Sequence, residues 1–211
     1  MSLSFDCLSQ IPTLADALRE SGQKLFLHAC CGPCAEAPIL DLLEAGLQPT
    51  LYYYNPNIYP LAEWERRREA IAKLASLRNI ELQVAEGDRE ALGLGIAGLP
   101  KQCAYCYQVR LQEAACRARE QGYACFTTSL LVSPYQNRGL IIKTGTACAA
   151  REGITFLPVD WRPLYRLGQN LAREHGLYRQ RFCACFFSLE ESKWKDQILE
   201  ELRPLDQRLR Q

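Results

Sequence analysis

Residues 24–46 read KLFLHACCGPCAEAPILDLLEAG. Lys24 to Ala29 is a short apolar run of strand length. Cys34 to Ala45 then sets its apolar residues at helical spacing, and Gly46 is a helix stop. A strand that feeds a helix across a cysteine-rich turn is the first unit of an α/β layer. The alternation continues along the chain. Pro49 to Tyr54 reads as a second strand, ended by the turn Asn55-Pro56-Asn57. Leu61 to Leu77 is a charged amphipathic helix, and Ile80 to Ala85 a third strand. Lys101 to Gln121 reads as mostly helical, with Ala124 to Leu130 as the fourth strand. Pro134 to Arg151 is a helix and Ile154 to Val159 a fifth strand. Helices over about Leu164 to His175 and Ser188 to Leu202 close the chain.

This order predicts an α/β fold with a parallel sheet covered by helices on both faces. A length of 211 residues suits one α/β domain over 1–211, whose C-terminal helical part starts at about residue 161. Right-handed crossovers bring the loops after the strands to one edge, where such sheets bind ligands. The cysteine turn follows the first strand and Asn55 the second. Ser129 and Ser133 follow the fourth, and Asp160 the fifth. All are therefore expected at one site.

The chain is 48% hydrophobic, enough for a substantial core, which argues against global disorder. No apolar run is long enough to span a membrane. Met1 to Pro12 contains Asp6 and lacks a basic region followed by an apolar one, so the expected location is cytoplasmic. The net charge of +1 gives no global attraction to nucleic acid. The basic residues are nevertheless biased, with 19 Arg against 6 Lys, and Arg makes two-pronged phosphate contacts. Arg162, Arg166, Arg173, Arg179 and Arg181 form one stretch, and Arg66, Arg67 and Arg68 another. Either is a phosphate-binding patch or a solvated helix face.

Seven of eleven cysteines fall in three groups: Cys30-Cys31-Gly32-Pro33-Cys34, Cys103-Ala104-Tyr105-Cys106 and Cys183-Ala184-Cys185. In a reducing compartment, clustered cysteines point to metal or redox chemistry. Cys7, Cys116, Cys125 and Cys148 stand alone and read as small buried hydrophobes. A two-residue gap lets Cys103 and Cys106 reach one metal or cluster. Adjacent side chains such as Cys30 and Cys31 diverge, so they suit different atoms of an iron–sulfur cluster better than one small ion. Zinc remains the alternative. Cys183 and Cys185 form only a strained, easily reduced disulfide, or share a metal. Arg179 and Arg181 beside them favour thiolate forms.

The first turn, ACCGPCA, is neither a Walker loop nor a dinucleotide fingerprint. It also lacks the Ser-Gly-Gly-x-Asp-Ser pattern of ATP pyrophosphatases, which disfavours nucleotide hydrolysis at this turn.

Six stretches in order carry a family resemblance. They are LHACCGPC (Leu27–Cys34), YYNPNIYPLAEWERR (Tyr53–Arg67), CAYCYQVRL (Cys103–Leu111), FTTSLLVSPYQN (Phe126–Asn137), DWRPLYRLGQ (Asp160–Gln169) and LYRQRFCACFFS (Leu177–Ser188). The chain resembles the cobalamin-independent epoxyqueuosine reductases of tRNA modification. The resemblance implies a Rossmann-like fold similar to the ATP-pyrophosphatase type, with the phosphate loop replaced by cysteines. It implies reductive removal of the epoxide oxygen of epoxyqueuosine in the tRNA anticodon loop, giving queuosine, with an external electron donor. It also implies a [4Fe-4S] cluster held by Cys30, Cys31, Cys103 and Cys106, with Cys34 as a candidate ligand of a second, mononuclear iron. Cys183 and Cys185 fall on the family's redox-active pair. Its centre here is Ala184, where glycine is the more expected residue.

Deoxygenating an epoxide takes two electrons and two protons and releases water. Asp160 is the first candidate for the general acid, ahead of His28 and Tyr107. Asn55, Ser133, Arg179 and Arg181 are the candidate substrate contacts, because modified anticodon bases are read by stacking and edge hydrogen bonds. Three other readings stay open at this point: a zinc-stabilised RNA-binding module, a protein thiol–disulfide oxidoreductase and a sulfur-transfer tRNA enzyme.

Overall fold

A four-residue strand, β1 (Leu25–His28), lies at the centre of the sheet and is buried along its whole length. It pairs in parallel with β2 (Pro49–Tyr53) on one side and β4 (Cys125–Thr128) on the other. The edges are β3 (Leu82–Val84) and β5 (Thr155–Phe156), again parallel, giving the order β3-β2-β1-β4-β5. Leu27 pairs with Leu51 and Thr127 in register, and all three central strands are buried along their whole length. This is the signature of a sheet covered on both sides. The computed structural model describes residues 24–85 and 103–211, together with residues 7, 16, 18, 20 and 22. The expected start of a helix at Lys101 and the reading of Met1 to Pro12 lie outside the described residues.

The helices over residues 24–85 and 103–211 are α1 (Gly32–Glu44), α2 (Leu61–Arg78), α3 (Cys103–Glu120), α4 (Arg138–Glu152), α5 (Tyr165–Glu174), α6 (Phe186–Glu190) and α7 (Lys195–Leu209). α1 packs on α2 and α5, and α3 packs on α4, so helices form a layer on each side of the sheet. The approach of α1 to α2 depends on Gly32. A Cβ there would stand 2.9 Å from the Ala70 carbonyl oxygen, closer than van der Waals contact permits. α7 packs on α2 through a small cluster of Ala62, Phe182, Leu189, Ile198 and Leu202.

Several boundaries differ from those expected. β5 keeps two residues, although Leu157 and Val159 beyond it are fully buried. Burial extends past the strand because the chain leaves the ladder while still crossing the core. The helix expected from Pro134 begins at Arg138, where the Asn137 side chain accepts a hydrogen bond from Leu140 N at 3.0 Å. A 3₁₀ turn over Ser129–Val132 precedes it. The single helix expected over Ser188–Leu202 is two helices, separated where Ser192 Oγ accepts from Trp194 N at 3.2 Å.

Strand order reverses between β1 and β4: the chain builds outward on one side through β2 and β3, then returns to the other. The crevice at the C-terminal ends of β1 and β4 is therefore the switch point of the fold. The cysteine turn opens into it.

Candidate metal and redox site

Two loops meet at the switch point through one serine. Cys30 N donates to Ser129 Oγ at 3.0 Å, and that hydroxyl lies 3.3 Å from Cys30 Sγ. Cys31 is the N-cap of α1, with extended backbone angles (φ −174°, ψ 165°). The chain turns from strand to helix between these residues, and their side chains converge instead of diverging. Their sulfurs are 3.8 Å apart. Cys34, one turn into α1, completes a buried trio whose sulfurs all lie within 4.8 Å of one another. The expectation that adjacent cysteines splay is thereby corrected, and Cys34 stands with the pair instead of apart from it.

The trio shares its protons unequally. Hydrogen bonds from the Cys31 and Cys34 thiols, helped by Ser129, hold Cys30 well below the usual thiol range against the effect of burial. Burial first, then the Cys30 anion, pushes Cys31 up. The hydrogen bonds to Cys30 and Cys31 push Cys34 up. Three buried cysteine sulfurs within 4.8 Å of one another are a soft donor set ready for a metal. Gln180 closes it from outside, with Nε2 3.1 Å from Cys31 Sγ and 3.6 Å from Cys34 Sγ.

A cavity of about 390 Å³ opens from this trio, lined among others by Cys30, Cys34, Arg110, Gln180, Cys183 and Ala184. Cys103 is exposed and Cys106 half-buried at the start of α3. Arg110, one turn further along α3, is 5% exposed and donates from Nε to the Cys106 carbonyl at 3.1 Å. Burial disfavours its charge, but interactions with Cys106, Cys183 and Cys30 outweigh that. This one cation thus addresses all three cysteine groups. Sequence reasoning missed it. The available signal was its i+4 spacing from Cys106, which puts both on one helix face.

The Cys183–Cys185 segment is held from two sides. Arg67 donates to the Cys183 carbonyl at 3.0 Å and to the Phe182 carbonyl at 3.1 Å, while its Nε pairs with Glu63 at 2.7 Å. Tyr178 OH donates to the same Glu63 carboxylate at 2.6 Å. From the cavity side, Gln136 Nε2 reaches Cys183 Sγ at 3.3 Å. Ala184 sits at φ +153°, a conformation that suits glycine. It is pinned there by Tyr59 N to Ala184 O at 2.9 Å and by Ala184 N to Ser188 Oγ at 3.0 Å.

Among the other expected site residues, Asn55, Ser133 and Arg181 line the cavity. Asn55 donates to the Ala29 carbonyl at 2.9 Å, and its buried Oδ1 has no partner. Arg181 pairs with Glu201 and Arg179 bonds Gln169, so neither is committed to the Cys183 or Cys185 sulfur. Asp160 does not line the cavity. It makes a two-pronged contact with Arg162 at 2.8 and 2.6 Å, with Arg138 at 3.6 Å. The Arg162 contact holds its carboxyl below the usual carboxylate range, so it is an anion at neutral pH and not the general acid expected. His28 is a core histidine. Its Nδ1 lies 2.8 Å from Thr128 Oγ1 and its Nε2 3.1 Å from the Tyr54 carbonyl. Arg66 to Arg68 do not form a patch: Arg67 is buried and Arg68 pairs with Glu65. Cys116 is half-exposed, whereas Cys7, Cys125 and Cys148 are buried. A further residue missed from the sequence is Tyr135, 82% exposed at the cavity, its ring edge-on to Tyr165 at 5.8 Å.

A parallel α/β sheet with thiols where a phosphate loop would sit defines a cysteine-centred relative of the nucleotide-binding α/β folds. The family model described as "Epoxyqueuosine reductase QueH" matches residues 25–191, and the chain belongs to that family. A QueH from Thermotoga maritima is 32% identical over 182 residues, covering 81% of this chain and 93% of its own. One from Dehalococcoides mccartyi is 32% identical over 167 residues, covering 78% and 92%. Among solved structures, the U34-tRNA thiolase NcsA from Methanococcus maripaludis with its [4Fe-4S] cluster matches at a TM-score of 0.50 and 14% identity. The match covers 96% of this chain and 79% of that one, and shows a common fold. No helix among the described residues is long and apolar enough to cross a membrane.

Proposed function

We propose that this chain carries out the reaction its family is named for, removing the epoxide oxygen of epoxyqueuosine in a tRNA anticodon loop within the cytoplasm. The observation that carries this reading is the convergence of the Cys30 trio, Arg110 and Cys183 on one cavity at the sheet's switch point.

The Cys30 trio fits part of an iron–sulfur centre, because its sulfurs are soft, buried and within 4.8 Å of one another. Cys30, Cys31, Cys103 and Cys106 would hold a [4Fe-4S] cluster and Cys34 a second iron, supplying one-electron transfer and a Lewis acid for the epoxide oxygen. The remaining work falls to the protein. Gln180 and Ser129 orient the sulfurs through their hydrogen bonds. The Cys183 and Cys185 thiols hold two electrons and two protons, the number the reaction consumes. Oxidising them to a disulfide while the epoxide becomes an alkene and water balances completely. An external donor then restores the dithiol. Asn55 Oδ1, buried without a partner, accepts from a donor on the base edge. Ser133 and Arg181 line the base pocket, and Arg179 and Arg181 take anticodon phosphates. Tyr135 offers a face to a neighbouring base. The chain works as one α/β unit over 1–211, with the helical part after about residue 161 carrying the redox pair.

The closeness of Cys30, Cys31 and Cys34 also favours a second reading, a single ion held by these three thiols. One experiment separates them: iron, zinc and acid-labile sulfide per chain after anaerobic purification, alongside turnover of an anticodon stem-loop carrying epoxyqueuosine. About four irons and four sulfides, lost in Cys103→Ser, with product formed, support the reductase. One ion without sulfide, lost in Cys34→Ser but kept in Cys103→Ser, supports the single-ion site.

A further inference from the structure

Two buried arginines line the cavity, and they are used differently. Arg67 spends its guanidinium within the fold: Nε on Glu63, Nη1 on the Cys183 carbonyl and Nη2 on the Phe182 carbonyl. Arg110 commits only Nε, to the Cys106 carbonyl, with its guanidinium 5.7 Å from the Tyr107 ring centre. Among the described residues no carboxylate lies within ion-pair distance of it. A guanidinium taken out of water costs several kcal/mol unless an anion meets it. The fold places this one beside Cys30 and Cys183, with its two terminal nitrogens left over for a ligand in the cavity.

The reaction supplies such a ligand. Two electrons reach the substrate from the Cys183–Cys185 dithiol, which a low-potential external donor regenerates. When the first C–O bond breaks, the oxygen keeps the bonding pair and becomes an alkoxide. The second C–O bond then breaks as the C=C bond forms, and the oxygen leaves as water with the two protons the dithiol gives up. Negative charge peaks on the oxygen between these events, at the cavity wall where Arg110 itself is buried. Fixed cationic donors aimed at such a charge are worth most in that setting. A guanidinium stays charged throughout, because it does not release its proton at any working pH.

Resting on the reductase reading, we propose that Arg110 is a catalytic residue whose terminal N–H groups hold the epoxide oxygen and neutralise the alkoxide formed as the first C–O bond breaks. Its neighbour Tyr107 is not among the residues lining the cavity, and its OH is engaged in donating to Gln136.

The test uses anaerobic enzyme, an anticodon stem-loop bearing epoxyqueuosine, and reduced methyl viologen as donor. Arg110→Gln is expected to lower kcat by about 10²–10³-fold, the usual cost of one oxyanion donor. KM and iron per chain should stay within about two-fold of wild type. Arg110→Ala should regain activity on addition of guanidinium ion, saturating with its concentration. Arg110→Lys keeps the charge without the fork, so it should keep its iron and lose at least about ten-fold in kcat. Unchanged kcat in Arg110→Lys or Arg110→Gln overturns the proposal. So does a loss of activity that tracks iron loss in all three variants, which would make Arg110 a partner of the metal-binding thiols. Iron-replete wild type that fails to turn over the stem-loop overturns the reductase reading itself, and this proposal with it.

Discussion

Arg67 Nη1 donates to the Cys183 carbonyl oxygen at 3.0 Å, tying the Cys183–Cys185 segment to α2 across more than half the chain. The guanidinium is neutralised by Glu63, itself fully buried, so the tie rests on a desolvated ion pair. Truncating one partner of such a pair strands the other charge.

Arg67→Leu is therefore expected to destabilise the protein by about 3–5 kcal/mol. Arg67→Leu combined with Glu63→Gln should cost less than the two single changes summed, by at least about 1 kcal/mol. Urea unfolding of the four proteins checks this. The Cys183 thiol, freed from its carbonyl anchor, should also alkylate faster in the single variant. Additive energies would refute the latch.

Ala184 holds φ +153°, which costs a non-glycine residue about 1–3 kcal/mol. Glycine removes that strain and gives back part of it through a freer unfolded chain. Ala184→Gly should thus stabilise the protein by about 1 kcal/mol, read as a rise in urea midpoint at constant slope. Ala184→Val should lower it. A lower midpoint in Ala184→Gly would show that the strain is not real.

Tyr135 leaves 82% of its surface exposed beside the cavity, supported edge-on by Tyr165. Stacking of one base on such a ring is worth about 1–3 kcal/mol. Tyr135→Ala should raise KM for the stem-loop by roughly ten-fold or more while kcat and iron content hold. Tyr135→Phe, which keeps the face, should restore KM. Equal KM in all three proteins would remove the ring from recognition.

Asp160 is bound by Arg162 and Arg138 as an anion. Asp160→Asn should leave kcat within about three-fold, whereas loss of a general acid costs about 10²–10⁴. The pH sign follows from its depressed folded value. Its stabilisation is present above the ordinary value of 3.8 and is lost as pH falls through the folded value. The difference in Tm between wild type and Asp160→Asn should accordingly narrow in acid. A constant gap from pH 7 to pH 3 would contradict it.

The alternation of strands and helices was legible because each apolar period is local and needs no knowledge of neighbours. The run Leu25 to His28 and the helical spacing after Cys34 carry their structure within a few residues. Short edge elements were less legible. Leu157 and Val159 are buried like strand residues, yet the ladder ends at Phe156, and burial alone does not report pairing. The helix start moved to Arg138 because the Asn137 cap overrides the weaker signal of Pro134.

By itself the sequence determined the α/β order, the three cysteine groups and the family, since spacing and motif are properties of neighbouring residues. Only the tertiary structure decided that Cys30 and Cys31 converge, that Cys34 joins them and that Asp160 is spent on arginines. It also separated Arg67, consumed by the fold, from Arg110, left facing the cavity. The reason is physical: side-chain direction and the distance between segments a hundred residues apart are set by packing. Charge and hydrogen bonding in a buried site follow from those directions and distances, not from composition.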